Sequence, residues 1–416
     1  MTGVLRDIVI VGGSLAAATA AGALRTAGFD GGITLVSDEH RPPYTRPPLS
    51  KDILKGRAEP ESAALPLAEG VDLRLGARAT GLRPDRRRVL LSDGDQLPYD
   101  GLIVATGARA RSLAVADGAP ELRLRSMDDA LALRSAVRDA RTVAVIGGGP
   151  LGMEVASACR ELGREVTVVD PEPPMRRQLG GYLADLLTHA AHDAGVRFVR
   201  PGGPVAVASD GAGGAVVVGQ DVRVAADVVV TAAGDLPNTE WLAGSGLPLD
   251  RGLLVDGTLT VAPGIVAAGD VVAWRDGGAS ARTPLWTHAL DQATAAASAL
   301  LNPGTAAKYR ARPYFWTEQF GLAVKVCGTI PADARPTVLD GSYADRRLLL
   351  QWEAHETPVA AATVNHRMPI TRLRRLATAA PQTPATHATS GPTTHAISGP
   401  TTHAATHATS HATSHP

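Results

Sequence analysis

Short runs of apolar residues, many of them β-branched, recur along this chain, and two of the runs lead directly into glycine-rich turns. Residues 8–11 read Ile-Val-Ile-Val and precede Gly12-Gly13-Ser14; residues 143–146 read Val-Ala-Val-Ile and precede Gly147-Gly148-Gly149. A short apolar run bounded by glycine is typical of a buried parallel strand. Because a helical pattern follows each turn, the sequence predicts two strand–turn–helix units about 135 residues apart.

Each predicted helix is followed by a second apolar run that ends in acid. Residues 33–36 lead to Asp38, and residues 166–169 lead to Asp170. A carboxylate at the end of the second strand of a βαβ unit is suited to bind the ribose hydroxyls of a dinucleotide. Two complete units, each with its acid, are a far more specific signal than one glycine motif.

The glycines of the two turns are not equivalent. The second turn has the full dinucleotide fingerprint: Gly147 for the tight turn, Gly149 for the approach of a pyrophosphate, and Gly152 for helix–strand packing. In the first turn, which begins at Gly12, Ser14 and Ala17 stand at the second and third positions. Both turns should place a pyrophosphate at a helix N-terminus. Two dinucleotides in one chain suggest that electrons pass from a nicotinamide to a flavin.

The order of the remaining patterns predicts the architecture. Short strands continue to residue 110, strand-like runs return over 247–271, and an alanine-rich helix covers 288–301. We therefore expect an α/β fold with two Rossmann-like domains, one inserted in the other, and a small α+β C-terminal domain. The predicted boundaries are 1–112 with 236–311 for the first domain, 113–235 for the second and 312–376 for the third.

Residues 377–416 contain no Lys, Arg, Asp or Glu and repeat Ser-Gly-Pro-Thr-Thr-His-Ala twice. Such a segment cannot bury enough apolar surface to offset its ordering entropy, so we predict a disordered low-complexity tail. His403, His407, His411 and His415 have a spacing of four that could chelate a metal on a helix. Thr, Ser and Pro are poor helix formers, however, and no metal site is predicted.

Composition excludes several classes of function. The 416 residues carry 41 basic and 41 acidic side chains, so no global charge points to nucleic acid or a membrane surface. An apolar run of about 20 residues, which a membrane span needs, is absent from the sequence. The first strand begins within a few residues of Met1, so the cytoplasm is the expected compartment. Cys159 and Cys327 form no CxxC motif, which argues against an internal dithiol.

Several motifs occur in an order that identifies a family. They are residues 46–51 (Arg-Pro-Pro-Leu-Ser-Lys), 105–108 (Ala-Thr-Gly-Ala), 269–270 (Gly-Asp), 286–289 (Trp-Thr-His-Ala) and 314–320 (Tyr-Phe-Trp-Thr-Glu-Gln-Phe). Over about residues 6–376 the chain resembles the FAD-dependent, NAD(P)H-using ferredoxin reductases of the putidaredoxin-reductase and aromatic-ring-dioxygenase type. The resemblance implies a glutathione-reductase-like fold, in which the first domain binds FAD, the second binds NAD and the third forms an interface.

The resemblance also implies the residues that contact each cofactor. For FAD these are Gly12, Ser14, Ala16, Asp38, Arg46, Lys51, Ala79, Thr106, Gly107, Arg125, Asp270 and Trp286. For the nicotinamide dinucleotide they are Gly147, Gly149, Gly152, Glu154 and Asp170.

Three side chains are implied to act at the reacting atoms. The family pattern places Lys51 beside flavin N5, paired with Glu154, while Trp316 covers the nicotinamide and flavin from the third domain. Taken from the sequence alone, Lys51 could equally be a surface lysine and Glu154 a residue of the first helical turn that caps its helix. Hydride transfer requires the two rings to be held about 3–3.5 Å apart, so stacking residues act through positioning. Neither a general acid nor a metal is required.

Asp170 bears on the choice of reductant. A carboxylate at this position binds the ribose diol and repels a 2′-phosphate, which favours NADH over NADPH. Arg176 and Arg177 lie six and seven residues further on and could weaken this preference.

The expected function is transfer of a hydride from NADH to FAD, then of single electrons to an iron–sulfur ferredoxin that supplies an oxygenase. Alternatives that keep the fold are a reductase of a small-molecule acceptor and an NADH-sensing flavoprotein. Two basic clusters could meet an acidic ferredoxin: Arg83, Arg86, Arg87 and Arg88, or Arg372, Arg374 and Arg375. Ordinary solvated surface charge is the alternative for both clusters.

Overall fold

The computed structural model describes residues 5–115, 119–211, 214–276, 279–332 and 334–378. Strands up to residue 110 are β1 (Asp7–Val11), β2 (Gly32–Val36), β3 (Val71–Arg74), β4 (Ala79–Arg83), β5 (Arg88–Leu91), β6 (Gln96–Pro98), β7 (Gly101–Val104) and β8 (Ala108–Ala110). Strands of the middle of the chain are β9 (Glu121–Arg123), β10 (Thr142–Ile146), β11 (Glu165–Val169), β12 (Arg197–Val199), β13 (Val205–Ser209), β14 (Ala215–Gly219), β15 (Arg223–Ala226), β16 (Val228–Thr231) and β17 (Asp235–Pro237).

The later strands are β18 (Leu253–Leu254), β19 (Thr260–Ala262), β20 (Ile265–Ala267), β21 (Val272–Asp276), β22 (Ala279–Ala281), β23 (Tyr314–Gln319), β24 (Leu322–Gly328), β25 (Thr337–Ser342), β26 (Arg347–Ala354) and β27 (Thr357–Val364). The α-helices of the described residues are α1 (Leu15–Thr26), α2 (Met127–Asp139), α3 (Pro150–Glu161), α4 (Arg176–Asp193), α5 (Trp286–Leu301) and α6 (Ile370–Leu376). Single 3₁₀ turns form at Pro47–Ser50, Pro60–Ala63, Pro84–Arg86 and Glu240–Leu242.

The first glycine turn belongs to a six-stranded sheet of order β19-β20-β7-β1-β2-β3. The strands β20, β7, β1, β2 and β3 are parallel, as the buried apolar runs predict. Helices α1 and α5 pack together, and their alanines and leucines join the core of this sheet. Two strands that follow residue 235 therefore complete a sheet that begins at residue 7.

The second glycine turn belongs to a parallel five-stranded sheet of order β12-β11-β10-β16-β9. A small antiparallel sheet, β13-β14-β15, packs beside it. The chain runs from the six-stranded sheet into these residues through β8 and returns through β17, and the two strands pair antiparallel. From this arrangement we propose the domain boundaries that the sequence predicts, which are 1–112 with 236–311, 113–235 and 312–376.

The C-terminal part is an antiparallel sheet of order β23-β24-β27-β26-β25, with α6 packed against it. One hydrophobic core contains side chains of this sheet and of the sheet that carries the second glycine turn. Leu49, Ile53 and Leu54 join the same core although they come from the first part of the chain. The segment that holds Ser50 and Lys51 is thereby fixed against α3.

The structure departs from the sequence prediction in several places. Asp227 separates β15 from β16, and its carboxylate accepts the backbone N–H groups of Arg141 and Thr142 at 2.9 and 2.8 Å. Helices α2 and α4 had no sequence prediction, and α5 begins at Trp286 rather than at 288. Ala377, predicted to start the tail, caps α6 and is buried. The rest of the predicted tail, from residue 379, lies outside the described residues.

Candidate functional site

A continuous cleft of about 1840 Å³ runs between the two glycine turns. Every cofactor and catalytic residue predicted from the sequence lines this cleft except Gly152. Gly152 instead packs α3 against the turn, since a Cβ there would lie 1.9 Å from the Gly147 carbonyl oxygen. The parallel strands of both sheets end at this cleft, where α/β folds place their ligands.

The first turn is closed by contacts that exclude a side chain. Gly12 has φ of +139°, and a Cβ there would lie 2.1 Å from the carbonyl oxygen of Ala105. Ser14, which replaces a glycine of the fingerprint, precedes α1 in extended conformation and donates its hydroxyl to the Tyr44 carbonyl oxygen at 3.3 Å. Ala17 is fully buried between helix and sheet. The serine hydroxyl is thus directed to the neighbouring loop.

The second turn is similar but more open. Gly147 has φ of +109°, and a Cβ there would lie 2.4 Å from the Ala232 carbonyl oxygen. A Cβ on Gly149 would meet no atom of the described residues within 4 Å, so the backbone is accessible from the cleft. The Asp170 carboxylate accepts the N–H of Gly148 at 2.6 Å and that of Glu172 at 2.7 Å. Asp170 therefore stabilises the turn, lines the cleft, and keeps acceptor capacity on each of its oxygens.

Several helices begin at the cleft without a side-chain cap on their first turn. Helices α1, α3 and α5 each lack a side-chain cap and have no acidic residue in the first turn. Helix α2, in contrast, has a full capping box formed by Ser126 and Asp129. Free N–H groups and the positive end of the helix dipole favour an anion or a group that gains negative charge.

A buried ion pair lies between the two halves of the cleft. Lys51 Nζ is 2.6 Å from Glu154 Oε2, and the two side chains are only 16 and 9% exposed. Ser50 Oγ donates to the same carboxylate oxygen at 2.6 Å, and Thr317 Oγ1 donates to the other at 2.8 Å. Glu154 lies on the second turn of α3, beyond the positions that cap a helix, so the alternative of a capping glutamate does not hold. The alternative of a surface lysine does not hold either, because the Lys51 side chain is mostly buried.

Aromatic rings close the cleft next to this pair. The Trp286 and Trp316 rings meet edge to face, with centroids 5.4 Å apart, and Trp316 stacks on Tyr314 at 5.8 Å. Trp286 Nε1 donates to Thr45 Oγ1 at 3.1 Å. Trp286 keeps 36% of its surface exposed, which is unusual for a ring held by two partners.

Charged side chains line the end of the cleft near the first turn. Arg125 pairs with Asp270 at 2.7 Å, and Arg46 pairs with Glu39 at 2.9 Å. Arg46 also donates to the backbone oxygen of Arg125, which joins the two pairs. Asp38 is exposed and has no hydrogen-bond partner among the described residues. Its carboxylate is therefore available to a ribose.

Ala79, Thr106 and Gly107 form part of the wall between these groups. Thr106 Oγ1 donates to the Asn238 carbonyl oxygen at 2.8 Å, and Asn238 Nδ2 donates back to the Thr106 carbonyl oxygen at 2.9 Å. Gly107 has φ of +63°, a left-handed conformation that favours glycine. This wall carries the chain from the first sheet into β8.

The model of the pyridine nucleotide-disulphide oxidoreductase family matches residues 6–293. The chain belongs to this family. A second family model, described as the reductase C-terminal domain, matches residues 314–394. Both the predicted family and the predicted fold class are confirmed.

Relatives within this family are similar over nearly their whole length. The anthranilate 1,2-dioxygenase system ferredoxin–NAD(+) reductase component of Burkholderia cepacia is 37% identical, over 89% of this chain and 94% of that protein. The 3-phenylpropionate/cinnamic acid dioxygenase ferredoxin–NAD(+) reductase component of Photorhabdus laumondii is 33% identical, over 89 and 96%. The covalent putidaredoxin reductase–putidaredoxin complex matches at 30% identity with a TM-score of 0.79, over 89 and 93% of the two chains.

Although the family name includes disulphides, the cysteines of this member lie away from the cleft. Cys159 is packed in α3 and Cys327 in β24, and both are free and buried. Burial raises the pKa of the Cys159 thiol to about 12 and also raises the pKa of Cys327. Neither thiol lines the cleft, so this oxidoreductase has no dithiol beside its dinucleotide sites.

The cleft residues fit two dinucleotides. The cleft is larger than the roughly 300–1,000 Å³ of a typical single-ligand pocket. The open approach to Gly149 and the uncapped N-termini of α1 and α3 suit two pyrophosphates. Arg125 Nε is buried and has no partner in the described part of the chain, which leaves a donor for a ligand. We observe no conflict between these residues and FAD or NADH.

Some functional contacts were missed from the sequence. Ser50, Thr317 and Gln319 lie within the quoted motifs, but their hydrogen bonds depend on how three separate segments meet. In the second predicted basic cluster, Arg372 and Arg375 are exposed and Arg374 is partly exposed, and a role for the cluster in docking remains a prediction. Arg374 lies on α6, and its Nε is buried without a hydrogen-bond partner among the described residues. No helix of the described residues is long and apolar enough to cross a membrane.

Proposed function

We propose that this chain is a ferredoxin reductase that oxidises NADH and passes the electrons one at a time to an iron–sulfur ferredoxin. The observation that carries the proposal is the buried Lys51–Glu154 pair, placed in one cleft between two dinucleotide turns. The names of the relatives, which are ferredoxin–NAD(+) reductase components of dioxygenase systems, support the same acceptor. The cytoplasm is the proposed compartment.

FAD, when bound, accepts a hydride from NADH and releases electrons singly. The residues that would hold it are those at the first turn and along the cleft: Gly12, Ser14, Ala16, Asp38, Arg46, Ala79, Thr106, Gly107, Arg125, Asp270 and Trp286. The exposed Asp38 carboxylate would accept the ribose hydroxyls, and the N-terminus of α1 would face the pyrophosphate.

Lys51 and Glu154 would serve the centre of the cleft together. The Lys51 ammonium would offset negative charge that builds on the reduced ring system, and Glu154 would hold that ammonium in place. The uncapped N-terminus of α5, which begins at Trp286, would add a second positive group toward the same ring. A positive charge held in a partly buried site stabilises the negative charge that develops on the ring more strongly than water does, because the effective dielectric constant there is lower.

Trp286 and Trp316 would position the rings and exclude water. The edge-to-face contact between the two indoles restricts both rings, and Tyr314 stacks on Trp316 and restricts it further. Two rings that must approach within about 3–3.5 Å gain rate from such fixed geometry.

The second turn would hold the nicotinamide dinucleotide through Gly147, Gly149 and Asp170, with Gly152 packing the helix. Asp170 supports NADH because its free lone pairs suit a ribose diol and its charge opposes a 2′-phosphate. Arg177, which could have bound such a phosphate, is paired with Glu172 at 2.6 Å. The pair neutralises one of the two arginines that could have weakened the preference for NADH.

The test is reconstitution with a [2Fe–2S] ferredoxin and, separately, with ferricyanide as an artificial acceptor. We expect NADH oxidation to be fast with both, and ferredoxin to be reduced in the ratio of two per NADH. Turnover with ferricyanide but with none of several ferredoxins would overturn the proposed acceptor and favour a small-molecule reductase. Flavin that is reduced by NADH but passes electrons to neither acceptor would favour a sensing role.

A further inference from the structure

The ion pair at the centre of the cleft is held by residues of three separate segments. Ser50 ends the turn Pro47–Ser50 and Lys51 follows it, Glu154 lies on α3, and Thr317 lies on β23. Glu154 Oε2 accepts from Lys51 Nζ and Ser50 Oγ, each at 2.6 Å. Glu154 Oε1 accepts from Thr317 Oγ1 at 2.8 Å. Among the described residues, the C-terminal sheet thus supplies the single hydrogen bond to that oxygen.

The direction of the Thr317 hydroxyl is itself fixed. Gln319 Nε2 donates to Thr317 Oγ1 at 2.9 Å and occupies one of its lone pairs, so the hydroxyl proton is directed to Glu154. Thr317 is 0% and Gln319 is 3% exposed, so water does not compete for these groups. Charge-assisted bonds in such surroundings are the strongest hydrogen bonds in proteins.

The alternation of side chains along β23 explains how this one strand contacts α3 with one face and places Trp316 on the other. Successive residues of β23 point to opposite faces, so Thr317 and Gln319 face α3 while Trp316 and Glu318 face away from it. The next turn is docked on the same helix, because Phe320 N donates to Ser157 Oγ at 2.7 Å. Ser157 and Glu154 are three residues apart and share a face of α3.

We propose that Thr317 is a positioning residue for flavin reduction: oriented by Gln319, it fixes the Glu154 carboxylate and, through it, the Lys51 ammonium. A carboxylate held at one oxygen can rotate about its bond to the side chain. When residues of different segments hold both oxygens, the carboxylate cannot rotate, and the Lys51 ammonium that it binds has a single position in the cleft. The inference rests on the proposed function, in which Lys51 and Glu154 serve the flavin.

The test uses the FAD-loaded full chain and Thr317→Val, which keeps the shape but removes the hydroxyl. At saturating NADH we expect flavin reduction in stopped flow to slow at least about tenfold, equivalent to about 1.4 kcal/mol. The Kd for NADH should change much less, and the midpoint potential, measured without NADH, should become more negative. Thr317→Ser should restore all three values. Thr363→Val, a matched change in the same sheet at a residue 1% exposed and outside the cleft, should behave as wild type.

A double-mutant comparison separates positioning from a general effect on the fold. If Thr317 acts through Glu154, Thr317→Val should cost less than about twofold in a Glu154→Ala background, which leaves the Thr317 hydroxyl no acceptor at position 154. Equal costs in both backgrounds, or a wild-type rate for Thr317→Val, would overturn the inference while leaving the proposed function intact. A wild-type rate for Glu154→Gln alone would instead contradict the proposed site. Should Thr317→Val fail to fold, Gln319→Leu takes its place: slowing with an unchanged NADH Kd supports the inference, and wild-type values overturn it.

Discussion

Replacing Glu154 by glutamine should slow reduction of the bound flavin without emptying the site. The change keeps the size of the side chain and an oxygen for Ser50 or Thr317, but it removes the charge that pairs with Lys51. Removing one partner of a buried pair costs about 3–5 kcal/mol, whereas an exposed pair is worth about 0–1 kcal/mol. Lys51 is 16% exposed and retains the Pro47 carbonyl oxygen at 3.3 Å, so we take a lower value of about 2–3 kcal/mol.

If all of that loss is expressed in the transition state, flavin reduction slows by about 30- to 150-fold. The assay is anaerobic stopped flow at saturating NADH, followed at the flavin absorbance. Glu161→Gln is a matched control, since Glu161 ends the same helix, is 41% exposed, and among the described residues pairs with the side chains of Lys55 and Arg57 alone. It should reduce at the wild-type rate. Equal rates for Glu154→Gln and Glu161→Gln would refute the role of the buried pair.

Three further predictions concern other parts of the molecule. NADH should have a higher kcat/KM than NADPH with ferricyanide as acceptor, because Asp170 opposes a 2′-phosphate; a tenfold preference for NADPH would contradict this. Neutralising the exposed Arg372 and Arg375 together should raise the KM for ferredoxin and weaken its dependence on salt, because surface charge steers the encounter with an acidic partner. Flavin reduction by NADH should not change. If the ferredoxin kinetics at low salt are also unchanged, ferredoxin docks at another surface. Changing Cys159 or Cys327 to alanine should leave turnover with ferredoxin intact, since both thiols are buried with raised pKa values, and a loss of electron transfer with folding preserved would implicate a thiol.

The parallel sheets could be predicted because their signal is local. An apolar run, a glycine turn and a terminal acid are each set by neighbouring residues, and the strands at 8–11 and 143–146 pair as that pattern requires. Helix α4 was missed because it contains two glycines and bends at Gly180, which has φ of +65°. Such a helix is stabilised by burial of residues such as Leu183 and Leu187 rather than by propensity.

The centre of the site could be predicted only in part. The resemblance brings Lys51 and Glu154 together, but the donors on the carboxylate come from the packing of β23 on α3. Sequence gives no measure of which face of that strand meets the helix, so Thr317 and Gln319 were overlooked. The same cause explains why Arg374 is less exposed than Arg372 and Arg375, since three arginines in four positions of a helix cannot all share one face.

The central claim is that one cleft passes electrons from NADH through FAD to a one-electron acceptor, and anaerobic double-mixing stopped flow tests it most directly. The FAD-loaded protein is mixed with one equivalent of NADH and then with two equivalents of oxidised [2Fe–2S] ferredoxin. We predict that the flavin absorbance is lost in the first step and returns in the second, while both ferredoxins become reduced. Flavin that stays oxidised after the first mix, or stays reduced after the second, would contradict the claim.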